Sequence, residues 1–179
     1  MKRVVIEDKT FYLYLDKSRI KQIVKEVADR LKQDFQDKSP IFLPVLNGSF
    51  MFASDLFKHF SFPAEVSFIK VASYRGIQSS GSVNELIGVD PEEIKGRTVV
   101  IIEDIIETGR SVSYVIQKLR EYQAADVQVC SLFFKPDSLQ KDITVNYIGK
   151  SIPDDFIVGY GTDYNGFGRN LKEIYQLRN

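Results

Sequence analysis

The sequence has little of what several chemistries require. Its single cysteine, Cys130, has no partner for an internal disulfide. The apolar setting VQVCSLFF marks it as a buried, inert thiol. His59 is the only histidine, which all but excludes a multi-histidine zinc site or a serine–histidine–aspartate triad. Its position on the last turn of an amphipathic helix makes it an ordinary surface side chain. Charge of one sign is lacking too: 24 basic residues balance 24 acidic ones and no long basic run occurs. The electrostatic footprint of a nucleic-acid binder is therefore missing. No apolar run is long enough to cross a bilayer as a helix, and the three-residue run in MKRVVIEDKT is too short for a signal peptide. These absences point to a reduced, cytoplasmic setting, away from membranes and nucleic acid.

What is present suits one domain of 179 residues with a sizeable core. Residues 3–6 and 11–15 read as short strands about a turn at 7–9. Asp16 or Ser18 then caps a helix whose apolar residues, Ile20, Ile23, Val24, Val27 and Leu31, share one face. IFLPVL, after Pro40, is a short buried strand; Asn47-Gly48-Ser49 turns the chain into a helix over 50–60. Residues 64–71 are strand again. SYRGIQSSGS, 73–82, is polar and aperiodic, a mobile loop of the kind that often serves as a lid. A returning strand over 85–89 and the turn DPEEIKG lead to a strand at 99–103 and a helix at 111–122. Further strands are expected at 127–134, 145–148 and 156–160. Strands alternating with helices predict an α/β fold with a mostly parallel sheet.

One stretch, VVIIEDIIETGRS at 99–111, holds more chemistry than a strand-to-helix turn needs. Its apolar run belongs at the centre of a parallel sheet, and ligands of such sheets bind at the carboxyl ends of the strands. Glu103, Asp104 and Glu107 therefore begin where a ligand would sit. Thr108-Gly109-Arg110-Ser111 follows at the start of a helix. There a glycine, unpaired helix amides and two hydroxyls make a phosphate cradle. Carboxylates beside a phosphate cradle make sense for one kind of ligand. Ribose hydroxyls want acceptors, and Mg²⁺ on a diphosphate wants carboxylate oxygens or waters held by them.

On these residues the chain resembles the type I phosphoribosyltransferases. Their motif for 5-phosphoribosyl 1-pyrophosphate (PRPP) runs as apolar residues, two acids, two apolar residues, Asp-Thr-Gly and a hydroxyl residue. Other segments narrow the resemblance to the hypoxanthine(-guanine) branch, in order along nearly the whole chain. Leu46-Asn47-Gly48-Ser49 is similar to the family's pyrophosphate loop, in which an often cis non-proline peptide presents backbone amides. Ser73-Tyr74 matches the pair in the flexible loop that closes over the site. Lys135, in SLFFKPDS, resembles the lysine that donates to the purine 6-oxo group. DDFIVGYGTDYNGFGRN resembles the C-terminal purine-site segment.

The resemblance implies an α/β type I phosphoribosyltransferase fold. It carries a small hood formed by the N- and C-terminal segments and a flexible active-site loop. By the same match Phe156 stacks on the base and the Ile157 backbone meets its edge. Asp163 helps bind Mg²⁺, with Glu103 and Asp104 holding ribose hydroxyls directly or through metal-bound water. Arg169 reaches the pyrophosphate. The implied partners are PRPP and a 6-oxopurine, and the implied assembly is a homo-oligomer, dimer or tetramer. Thr162 falls beside the purine 2-position, where many relatives carry a bulky aliphatic residue. The chain departs from the family at Glu107, where aspartate is usual as the group that handles the purine N7 proton. Glutamate offers the same chemistry on a side chain longer by one methylene. The alternative of another class is a regulatory protein that keeps the PRPP fold but binds RNA.

Overall fold

A computed structural model describes residues 2–73 and 83–178. Two sheets organise the described residues. The larger contains β3 (Ile41–Leu46), β5 (Ile69–Ser73), β6 (Val83–Ile87), β7 (Thr98–Ile106), β8 (Asp126–Phe134) and β9 (Tyr147–Ser151) in the order β6-β5-β3-β7-β8-β9. A two-residue strand, β4 (Glu65–Val66), also pairs with β3. All neighbours in this sheet are parallel except β6, which runs antiparallel to β5 at one edge.

Side-chain alternation along the central strands builds a core on each face. Phe42, Val100 and Ile102 join the apolar stripe of α1 (Lys17–Phe35) and Phe52, Ala53 and Leu56 of α2 (Phe50–Phe57). Ile41, Leu43, Val45, Val99 and Ile101 point the other way, toward Val112, Val115 and Leu119 of α4 (Arg110–Glu121) and Ile94 of α3 (Pro91–Ile94). Each such side chain taken out of water stabilises the fold by about 1.5–3 kcal/mol. Asp16 caps α1, its carboxylate accepting from the Ser18 and Arg19 amides at 2.9 and 2.8 Å.

The smaller sheet joins the two ends of the chain. Its order is β1 (Arg3–Ile6), β2 (Lys9–Leu15), β11 (Ile174–Leu177), β10 (Ile157–Val158), all antiparallel. Ile6, Phe11, Val158 and Tyr175 form its own small core.

Several sequence expectations shift. The 50–60 helix stops at Phe57, and the chain then tightens through His59 N–H to Leu56 O and Phe60 N–H to Phe57 O. Phe60 is held by rings as well, 5.0 Å from both Phe42 and Phe62. The 64–71 strand divides into β4 and β5, because its ends pair with different parts of β3. DPEEIKG includes a helical turn, capped by Asp90. β7 does not stop at Glu103 but runs on to Ile106, carried by pairing of Ile105 and Ile106 with Phe133 and Phe134. β9 lies later than the expected 145–148, and the 156–160 strand is two residues long. β11 has no counterpart in the sequence reading. Of the expected mobile loop 73–82, only Ser73, the last residue of β5, is described; Tyr74 and the remainder lie outside the described residues.

Candidate active site

Two cavities open at the carboxyl end of β7 and share Asp104, Ile105 and Glu107 as walls. The first, of about 320 Å³, is lined by Leu46, Gly48, Glu103 to Val112 and Arg169. The second, of about 350 Å³, is lined by Phe156, Ile157 and Thr162 to Asn165.

The first cavity grows from the end of one strand and the start of one helix. Gly109 has φ +75°, the left-handed region that glycine enters at no steric cost, and so aims the chain into α4. The first helical bond runs from Ser113 N–H to Gly109 O. The amides of Arg110, Ser111 and Val112 are thus left without helical partners at the cavity wall. The Arg110 amide approaches Thr108 Oγ1 at 3.4 Å, and the Arg110 side chain is tied to Gln140 Oε1 at 3.0 Å. Opposite, the Leu46–Asn47 peptide is cis. Asn47 O accepts from the Phe50 amide, and the buried Ser49 hydroxyl donates to Val45 O at 2.6 Å. Gly48 lies against Asp104 so closely that a Cβ there would overlap the carboxyl group.

Glu103 and Asp104 are almost fully buried. Burial pushes Glu103 well above the usual carboxyl range, and the Asp104 charge adds to this. Burial also lifts Asp104, to about 6, despite its own and the Ile105 backbone amide and the Arg169 charge. Arg169 donates from Nη1 to Gly161 O at 2.7 Å, and Nη2 lies 2.6 Å from Asp163 Oδ1. The other Asp163 oxygen accepts from the Gly166 amide at 2.6 Å.

The second cavity is assembled from separate segments. The Phe156 ring is 44% exposed, unlike the buried phenylalanines of the core. It stands edge-on to Tyr164 at 5.8 Å and 6.2 Å from Phe11. Ile157 is buried and holds its place in the ladder opposite Gln176. The Thr162 hydroxyl donates to Gly159 O at 2.8 Å, so it is already engaged. The buried Lys135 ammonium is ion-paired with Glu107 and lies 3.5 Å from Asp154 Oδ1. It meets the cavity through Glu107 rather than as a wall of its own.

Asp163 stands apart from the Glu103–Asp104 pair, and among the described residues no group of three acidic, histidine or cysteine side chains gathers as a metal-holding set. Glu103 and Asp104 both line the first cavity, while Asp163 is held by Arg169 and the Gly166 amide. Sequence reasoning passed over Tyr164, Asn165 and Asp154 as site residues. All three lie inside the quoted run DDFIVGYGTDYNGFGRN, but only the folded chain shows Tyr164 and Asn165 as walls and Asp154 beside Lys135.

Residues 13–165 match the family model described as phosphoribosyl transferase domain. The chain belongs to this family. Among curated phosphoribosyltransferases, it is 37% identical over 167 residues to the hypoxanthine-guanine phosphoribosyltransferase of Streptococcus pyogenes serotype M3, covering 93% of this chain and 92% of that protein. The corresponding Streptococcus agalactiae serotype V protein is 41% identical over 155 residues, covering 86% of each. Among solved phosphoribosyltransferase structures, the hypoxanthine phosphoribosyltransferase of Staphylococcus aureus superposes with a TM-score of 0.85 at 36% identity. That match covers 93% of this chain and 90% of the other. The type I phosphoribosyltransferase fold follows directly from these matches and the mostly parallel sheet.

Proposed function

We propose that the chain transfers the 5-phosphoribosyl group from PRPP to N9 of a 6-oxopurine, hypoxanthine and also guanine, releasing pyrophosphate in purine salvage. The observation that carries this reading is the junction of the two cavities on Asp104, Ile105 and Glu107. A polar phosphate-and-ribose cleft there opens onto an aromatic slot, as a reaction joining ribose to a flat base demands.

In this reading the amides and hydroxyls of Thr108, Gly109, Arg110 and Ser111 hold the 5′-phosphate. Glu103 and Asp104 accept from the ribose hydroxyls. Leu46, Asn47 and Gly48 present backbone groups to the pyrophosphate, and Arg169 matches its oxygens with a guanidinium fork. Phe156 offers its exposed face to the purine beside Ile157, and Lys135 donates to the 6-oxo oxygen. Adenine would leave that buried ammonium facing an amino group, which is the basis of selectivity. The N9 lone pair forms the bond to the anomeric carbon, and the bond to the pyrophosphate oxygen breaks with its electron pair leaving on pyrophosphate. The N7 proton passes to Glu107.

Mg²⁺ fits the donor set. It keeps waters and takes one or two carboxylates plus substrate phosphates, so it does not need a cluster of three protein ligands. Asp163 would hold it near the pyrophosphate, with Glu103 and Asp104 reached through water, and when bound it neutralises charge on the leaving group. Asp104 and Asp163 face one cavity, and the Asp163 charge disfavours ionisation of Asp104, which a cation relieves. We propose further that the protein acts in the cytoplasm as a homo-oligomer, dimer or tetramer. The neutral net charge offers no support for the RNA-binding alternative.

The test is pyrophosphate release from PRPP with hypoxanthine, guanine, xanthine and adenine in parallel. Release is expected with hypoxanthine and guanine, dependent on Mg²⁺, and not with adenine. Binding of PRPP without release under any base would refute the reading.

A further inference from the structure

The wall of the base-side cavity is held by a part of the chain outside the family match, which begins at residue 13. Tyr164 and Asn165 line that cavity beside Phe156. They sit in a tight loop that belongs to no helix or named strand. Tyr164 and Phe167 exchange backbone bonds at 2.9 Å, and Asn165 adopts φ +51°. A loop of this kind takes its orientation from whatever anchors it.

The anchors come from the turn between β1 and β2. The Tyr164 hydroxyl donates to Asp8 Oδ1 at 2.8 Å, and Asn165 Nδ2 donates to Glu7 Oε2 at 2.6 Å. The fully buried Phe11 ring packs behind both, 5.8 Å from Tyr164 and 6.2 Å from Phe156. Glu7 itself lies at φ +51°, so the turn is tight and holds its two carboxylates on neighbouring positions.

The hairpin does not depend on these two bonds for its own place. β2 pairs with β11, Leu13 N–H donates to Lys2 O at 2.9 Å, and Lys2 is bonded to Glu173. The carboxylates of Glu7 and Asp8, the latter 3.8 Å from Lys9 Nζ through its other oxygen, thus serve the loop they touch.

We infer that Glu7 and Asp8 are positioning residues, holding the Tyr164–Asn165 wall against Phe156 and so setting how tightly the purine base is gripped. The inference rests on the reading of the Phe156 cavity as the base site. It makes the N-terminal hairpin a determinant of base affinity and not of PRPP affinity. Its grip acts through two charge-assisted hydrogen bonds to adjacent residues of one loop.

The test is steady-state kinetics on Glu7→Ala/Asp8→Ala, with hypoxanthine and PRPP varied separately. Loss of two exposed bonds to carboxylates is expected to raise KM for hypoxanthine about three- to tenfold, with kcat and KM for PRPP changed less than about twofold. Tyr164→Phe should raise the base KM alone, and should add nothing further once Asp8 is alanine, because the two changes remove the same bond. Amide hydrogen exchange supplies a readout free of turnover: exchange at 164–168 should quicken in the double variant while α1 and β7 keep their protection. An equal rise in both KM values, or unchanged base KM and unchanged exchange at 164–168, overturns the proposal. Phe156→Ala separates the two ways of failing. If it raises the base KM while the turn variants do not, the base site stands and the positioning role falls. If it leaves the base KM unchanged, the base-site reading falls and the positioning role with it.

Discussion

On the phosphate side, one continuous run, residues 103–111, furnishes the acids, the glycine and the helix amides of the cleft. On the base side, the walls come from Phe156 and Ile157 and from Thr162 to Asn165, and a turn braces them from 156 positions away in sequence. The first site is a product of local geometry, a buried strand ending in a left-handed glycine and a helix. The second exists only when two sheets and the chain ends have come together. A cleft built locally should tolerate changes far away in sequence, whereas the assembled slot should answer to them. The two meet at Glu107, so that residue is the place to break the contrast most sharply. Glu107→Gln keeps the shape and removes the proton acceptor, and kcat is expected to fall on the order of 10²-fold. Glu107→Asp, shorter by one methylene, should retain turnover within about tenfold while loosening the Lys135 pair. Steady-state turnover of both variants decides; a glutamine variant as active as the parent would show that Glu107 handles no proton.

The same contrast explains what could be read before folding. VVIIEDIIETGRS announces a buried strand and a phosphate turn because every residue in it acts on its neighbours. It also hid one fact: Ile105 and Ile106 continue the strand, because Phe133 and Phe134 pair with them from elsewhere. Phe156 was one of thirteen phenylalanines, and only the resemblance of the run DDFIVGYGTDYNGFGRN set it apart from the core. Its exposure does, and exposure is a tertiary property. β11 was invisible for a similar reason, since Ile174–Leu177 is four residues long and becomes a strand by pairing with β2 and β10. The Glu107–Lys135 pair and the Asp8–Tyr164 bond join segments that no periodicity connects.

Burial of the acids carries a cost that the phosphate side should reveal on its own. Asp104 titrates at about 6 in the folded chain against an ordinary 3.8. Between those values the folded state keeps a proton that the unfolded chain has released, so stability falls as pH rises from about 4 to about 6 and then levels. Glu103 shifts in the same direction. Asp104→Asn removes one such cost. It should raise Tm at pH 7, by at most about 3 kcal/mol in stability, while impairing turnover. Thermal melts from pH 4 to 8 without substrate check this: the gap between variant and parent should close as pH falls toward 4. A gap of equal size at both ends of the range would mean that the buried charge is not its cause.

The smallest effect is the one that most cleanly separates the two sides. Gly109 takes φ +75°, and alanine there pays about 1 kcal/mol for the left-handed backbone. The added methyl would stand 2.9 Å from Leu139 Cδ1 and 3.0 Å from Ile143 Cδ1, the ends of flexible side chains that can yield. The fold should therefore survive, with the turn into α4 slightly displaced and its amides misaimed by a few tenths of an ångström. Gly109→Ala is expected to raise KM for PRPP several-fold and to leave KM for hypoxanthine unchanged, the mirror image of the Glu7→Ala/Asp8→Ala result. Separate titrations of the two substrates read this directly. If both constants move together, the cleft and the slot share one elastic element through Asp104, Ile105 and Glu107, and local construction of the phosphate side does not make it independent.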